Sequence, residues 1–205
     1  GYMLAIHGYR PILLERGADV DQRTKDVETF WKTGTLDPSS NVQFGEGGAG
    51  TFSDGKLNTL VKDKSGRNHE VLRIFARHGA PEAITYQSKP HIGTDILSRV
   101  VKEMRECICA HGGEVRFHSQ VTDIQTVTTG NTKVLRKLEV YDLEKQGKYV
   151  LDTELAVFAI GHSARDTFAM LHQHEVPMQP KAFAVGVRME HPQEMINKDQ
   201  YGEHY

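Results

Sequence analysis

Cysteine is nearly absent: Cys107 and Cys109 are the only two, and they stand two apart inside a helical pattern. Residues at that spacing face different sides of a helix, so the pair does not readily close a disulfide or share a metal. They read as two partly buried core thiols, and no redox-active pair of the disulfide-reductase kind is available. An excess of charge of either sign is also missing, because 25 basic and 27 acidic side chains are interspersed to a formal net charge of −2. Without a basic stripe, nucleic acid is not expected as a partner. No run approaches the roughly 18 to 20 apolar residues of a membrane helix, and the opening lacks the charged-then-apolar pattern of a signal peptide. A cytoplasmic protein without a membrane partner is therefore expected. The 205 residues, 38% hydrophobic, suffice for one sizeable domain and are short for two.

The apolar pattern is that of an α/β chain. Residues 1–8 are helical in pattern, with no capping residue and no initiator methionine before them. Arg10-Pro11-Ile12-Leu13-Leu14-Glu15-Arg16-Gly17 follows, an apolar run ending in an acid, as a buried parallel strand should look. Over 19–33, Val20, Val27, Phe30 and Trp31 share one helical face, and Gly34 is placed to end the helix. Further helices are predicted over 68–78, with Asn68 as N-cap, and from Thr94 to the Gly112-Gly113 pair. The period then changes to two. Short strands are predicted over 114–118, 120–128, 133–141 and 149–151, with turns at Gly130-Asn131 and Gln146-Gly147. An apolar strand over 155–161, a helix over 164–174 and a strand over 183–189 complete the reading.

The glycine-rich run over 45–58 offers two phosphate-binding look-alikes. Gly45-Glu46-Gly47-Gly48-Ala49-Gly50 spells G-x-G-x-x-G, but the dinucleotide fingerprint needs an apolar helix next, and Thr51-Phe52-Ser53-Asp54-Gly55-Lys56 carries no such pattern. Gly50 to Lys56 has the frame of a phosphate loop, but Leu57 stands where a hydroxyl for Mg²⁺ is required. A plain surface loop and a ligand-lining loop both remain open. Glycines that admit close backbone approach, beside Thr51, Ser53, Asp54, Lys56 and Asn58, favour the second. The eleven histidines are scattered without zinc spacing and read as structural or surface residues. His162-Ser163 is not a hydrolase elbow, because Arg165 occupies the place of that motif's second glycine.

Four segments together resemble one family: the strand ending in Glu15-Arg16-Gly17, residues 41–59, Lys89-Pro90-His91-Ile92-Gly93-Thr94-Asp95, and Ala159-Ile160-Gly161-His162-Ser163-Ala164-Arg165-Asp166-Thr167. They resemble the FAD-dependent dehydrogenases often labelled NAD(FAD)-utilising dehydrogenases. The resemblance implies a glutathione-reductase-like FAD-binding fold, a parallel sheet with flanking helices plus an antiparallel β-meander. Family members carry a first strand and a G-x-G-P-A-G turn ahead of the residues matching 1–8, and continue after those matching 189–205. It therefore implies that 1–205 is an FAD-binding domain truncated at both ends, with 181–205 beginning the connection to a second, substrate-side domain. Such a piece alone is expected to purify colourless or poorly folded, and the complete protein yellow.

The same resemblance implies an FAD-dependent oxidoreductase passing hydride or electrons through the flavin to or from an unidentified small molecule, with NAD(P)H a candidate donor. Glu15 would bind the adenosine ribose, or else be a solvated strand-end acid. Arg16 and Arg23 would neutralise the pyrophosphate, with a solvated helix face the other reading of Arg23. Gly47, Gly48, Ala49, Gly50, Thr51, Ser53, Gly55, Lys56, Leu57 and Asn58 would line the flavin side, with Lys56 the candidate cation. Val121 would offer its backbone to the adenine, and Gly161 would admit close approach of FAD. Ser163, Arg165 and Asp166 would stand at the mouth, and His91 and His162 lie in the family-like segments. No catalytic acid or base is assigned. A flavin-binding protein without turnover is the alternative, and a phosphate-loop NTPase a distant one.

Overall fold

The computed structural model describes residues 1–52, 55–57, 63–183, 185–187 and 189–202. Helix α1 (Tyr2–Ile6) leads to strand β1 (Ile12–Leu14) and helix α2 (Val20–Thr33). The ends of α2 are set locally. Asp19 Oδ1 accepts the N–H groups of Asp21 and Gln22 at 2.9 and 3.2 Å, and Gly34, left-handed at φ 74°, returns its N–H to Phe30. Both devices satisfy backbone groups that a helix terminus leaves bare.

A 3-10 turn (Gly48–Phe52), helix α3 (Arg67–Arg77), a second 3-10 turn (Glu82–Thr85) and helix α4 (Thr94–Ala110) follow. The apolar stripe of α4 buries Leu97 and Val100 against Ala80, Ile84 and Ile92 in a first core. Strand β2 (Glu114–Arg116) then pairs in parallel with β1, Leu13 opposite Val115. Strands β3 (Ser119–Thr129), β4 (Thr132–Asp142) and β5 (Gly147–Asp152) form an antiparallel meander, turning through Gly130 (φ 61°) and Gln146 (φ 53°). Helix α5 (Arg165–Gln173) closes a second core, in which Met170 and Leu171 meet Ile124, Leu138 and Val140. Burying side chains of this size contributes roughly 1.5–3 kcal/mol each.

The fold is thus mixed α/β, with a parallel pair beside an antiparallel sheet. The chain divides into two compact units, Gly1–His174 and Glu175–Tyr205. The second contains helix α6 (Gln193–Tyr201), which begins after Pro192 and buries no side chain, so it has no apolar stripe by which to be read in advance.

Several expectations are corrected. Residues 155–161 and 183–189 are not ladder strands among the described residues, although their composition is that of buried strands. A strand is defined by a hydrogen-bonded neighbour, and here Leu155, Val157, Phe183, Val185 and Val187 are largely exposed. Ala156 and Phe158 do pack on the second core. Asn68 is not the cap of α3. The helix starts at Arg67 after left-handed Gly66, and the turn lets Asp63 Oδ2 accept the Asn68 N–H at 2.5 Å. Cys109 is exposed, not a core thiol, because it lies off the buried stripe of α4. Among the described residues no helix is long and apolar enough to cross a membrane.

Candidate functional site

In open α/β sheets ligands collect where parallel strands end at their carboxyl termini. That end of β1 and β2 is tightly knit. Glu15 N–H donates to Arg116 O at 2.9 Å, Ser119 N–H to Glu15 O at 2.9 Å, and His118 N–H to Gly17 O at 3.1 Å. Onto this end docks the glycine-rich segment, held by one carboxylate: Glu15 Oε1 accepts the N–H of Gly17 at 2.8 Å and of Gly45 at 3.0 Å. Backbone meets backbone there. A Cβ placed on Gly17 would stand 2.6 Å from Gly45 Cα.

Arg23 of α2 organises the segment from beneath and is 0% exposed. Its Nε donates to Asn41 O (2.8 Å), its Nη2 to Val42 O (3.0 Å), and its Nη1 to Glu46 O (2.6 Å), Gly48 O (2.8 Å) and Thr51 Oγ1 (3.1 Å). Its guanidinium lies 4.8 Å from the Phe52 ring centre, and Phe52 in turn meets Trp31 edge-on at 6.3 Å. Burial lowers its pKa to about 10, against the pull of Glu15 and Glu46, so it is cationic at neutral pH. The expected places for Arg23, at a pyrophosphate or on a solvated face, are both corrected. The loop folds over it and takes its donors.

Glu46 fastens the same loop to two helices. Its Oε2 accepts the Val20 N–H at the start of α2, and its Oε1 accepts Arg105 Nε of α4, each at 2.8 Å. Burial pushes its carboxyl above the ordinary 4.5, outweighing the lowering by Val20 and Arg105. Glu46→Gln keeps an acceptor for Val20 and is expected to change stability by less than about 1 kcal/mol, whereas Glu46→Ala leaves both donors without it and costs about 1–3 kcal/mol. Denaturant midpoints check this. A raised folded pKa gives stability that is complete below 4.5 and lost as pH rises through the folded value. Wild type should therefore gain on Glu46→Gln as pH falls from neutral toward 4.5.

The G-x-G-x-x-G string runs into a 3-10 turn and, among the described residues, opens no α-helix, so it is not the strand-to-helix fingerprint. Gly47, Gly48 and Ala49 are exposed and Gly50 is half-buried, but Thr51 turns inward to Gly48 O and Arg23. Ser53 and Asn58, with Asp54, lie outside the described residues. Gly55, Lys56 and Leu57 run alongside residues 90–92: Ile92 N–H donates to Gly55 O at 2.8 Å, Leu57 N–H to Pro90 O at 3.0 Å, and Lys56 stands opposite His91. Leu57 packs on the first core, which is why that position carries a leucine and not a hydroxyl.

Arg16 and Asp166 meet across the fold, Nη2 to Oδ2 at 2.5 Å, with the Arg16 guanidinium 4.6 Å from the Phe44 ring centre. Gln120 Nε2 donates to the same carboxylate oxygen at 2.8 Å. Burial opposes ionisation of Asp166, but Arg16 and the Thr167 N–H together hold its carboxyl below the ordinary value. Val121 lies opposite Val140 beside a β-bulge and packs on the second core. Gly161 (φ 68°), His162 and Arg165 are exposed, and Ser163 is half-buried before α5. Glu15, Arg16, residues 45–51 and Asp166 thus converge on the end of β1, while Lys56 and His91 form a separate pair. Glu46, Phe44 and Gln120 escaped the sequence reading. An acid inside a glycine run is the only signal among the three, since Phe44 and Gln120 are distinguished only by where the chain brings them. Among the described residues no group of three or more His, Cys, Asp or Glu side chains is placed to hold a metal ion.

The architecture defines an α/β chain with a glycine loop seated on the end of its parallel pair. Over 86% of this chain and 57% of the other, the fold is shared with the crystal structure of Thermovibrio ammonificans THI4, at TM-score 0.51 and 15% identity. An uncharacterised protein of Clostridium beijerinckii is 53% identical over 202 residues, which is 98% of this chain. The chain spans 36% of that relative's length. No protein-family model matches.

Proposed function

We propose that this chain carries the adenosine side and part of the flavin side of an FAD site in a flavin-dependent oxidoreductase. The observation that supports it most is Glu15 at the carboxyl end of β1, with the glycine segment docked on it through Gly17 and Gly45. The residues fit the cofactor. Glu15 Oε1 is engaged by two amides while Oε2 carries no hydrogen bond among the described residues, and a free carboxylate oxygen at a strand end suits the ribose hydroxyls. Arg16, steadied by Asp166 and Phe44, would face the pyrophosphate. Gly47, Gly48, Ala49 and Gly50 would lie toward the flavin with Lys56, the Val121 backbone toward the adenine, and Gly161, Ser163 and Arg165 at the mouth. The finer fold is the glutathione-reductase-like FAD type, in which a further parallel strand would take up the apolar residues over 155–160. Bound FAD would supply the redox chemistry, and the protein its binding, orientation and electrostatics.

The complete polypeptide is expected to purify with the flavin absorption spectrum and to release FAD on denaturation. Trp31, the one tryptophan among these 205 residues, meets Phe52 of the loop edge-on, so adding FAD to the flavin-free protein should quench its emission by energy transfer. A colourless complete protein whose tryptophan emission ignores FAD would refute the proposal. Steady-state assays with NADH, NADPH and electron acceptors separate an oxidoreductase from a protein that holds flavin without turnover.

A further inference from the structure

We infer that Arg23 is a positioning residue that turns the glycine loop into a hydrogen-bond donor surface for an electron-rich group of the cofactor. This inference rests on the FAD reading above. A buried guanidinium is costly to desolvate, and apolar residues often hold a structure as well. Among the described residues no carboxylate hydrogen-bonds to it. Its partners are four backbone carbonyls and one hydroxyl spread from Asn41 to Thr51.

The consequence lies in the peptide planes. In a trans peptide the C=O and the following N–H point in opposite directions, and no cis bond occurs among the described residues. Arg23 draws the carbonyls of Glu46 and Gly48 inward, so the N–H groups of Gly47 and Ala49 are directed outward. Both residues are exposed, and Gly47 N–H carries no hydrogen bond among the described residues. The other loop amides are spent internally: Gly45 on Glu15, Glu46 on Ala18, Gly48 on Gly45. Two aimed N–H groups backed by a buried cation suit an acceptor atom, a phosphate oxygen or a flavin carbonyl. Lysine cannot replace the planar fork, because one ammonium cannot serve five acceptors around a plane.

The test uses the complete protein in two arms. In the flavin-free protein, hydrogen exchange at Gly45, Glu46 and Gly48 should speed up by about tenfold or more in Arg23→Lys, since those bonds depend on the loop Arg23 holds. In the binding arm, Arg23→Lys should lose about 100-fold in FAD affinity, as expected for several charge-assisted bonds. For Arg23→Ala, millimolar ethylguanidinium should restore a large part of the affinity. A loss shared by ADP assigns the acceptor to the pyrophosphate, and one shared by riboflavin assigns it to the flavin. Unchanged loop exchange in Arg23→Lys overturns the inference, as does unchanged affinity for all three ligands with the loop loosened. Failure of wild type to bind FAD would instead overturn the cofactor reading, and the exchange arm would still decide whether Arg23 holds the loop.

Discussion

Glu15→Ala is expected to remove about 2–6 kcal/mol of stability and to abolish stoichiometric flavin in the complete protein, because one truncation orphans two amides at about 1–3 kcal/mol each. Gly17 and Gly45 are both buried, so water does not replace the lost acceptor. Both hydrogen bonds run to Oε1, and Glu15→Gln, which keeps a carbonyl oxygen there, should lose only about 1 kcal/mol. The stability part is read from denaturant midpoints at unchanged m-value. FAD affinity reports separately on the other oxygen. A Glu15→Gln protein of near-normal stability that binds FAD weakly would support the ribose role, whereas normal affinity in both variants would remove Glu15 from the site.

Gly17→Ala should be nearly as damaging, for a steric and not a conformational reason. Gly17 is not in the left-handed region, but its Cβ would stand 2.6 Å from Gly45 Cα, 2.7 Å from Gly45 N and 2.9 Å from Phe44 C. All three are backbone atoms, which cannot swing aside as a side chain can. The added methyl therefore lifts the glycine segment off the strand end. Overpacking costs about 1–3 kcal/mol, and the strained Glu15 to Gly45 bond about 1 kcal/mol more. Flavin content and tryptophan quenching should fall together, since the loop carries Phe52 beside Trp31. An unchanged midpoint with unchanged flavin would show that the loop does not seat on Gly17.

The two predictions probe the part of the site least visible in the sequence. The glycine run was legible as a segment able to approach a ligand, and Glu15 as an acid ending a strand, although that strand is only partly buried. That they bind each other was not, since 30 positions separate Glu15 from Gly45. Arg23 shows the same gap. On the helix alone it is one more basic residue, and only the loop lying over it makes it buried. The strand readings over 155–161 and 183–189 went astray for a related reason: composition reports that a segment suits burial, but not whether a neighbour pairs with it.

The sequence by itself determined whatever depends on near neighbours in the chain. The capped ends of α2 at Asp19 and Gly34, the apolar stripe of α4, the alternation of the meander strands and the turn at Gly130 all rest on interactions within a few residues. Tertiary structure alone decided which distant groups share a carboxylate or a carbonyl: Glu15 with Gly45, Arg23 with residues 41–51, and Arg16 with Asp166 across 150 positions. Hydrogen bonds are short-ranged and directional, so such pairings exist only after the layers have packed. The candidate site is made almost wholly of contacts of that kind.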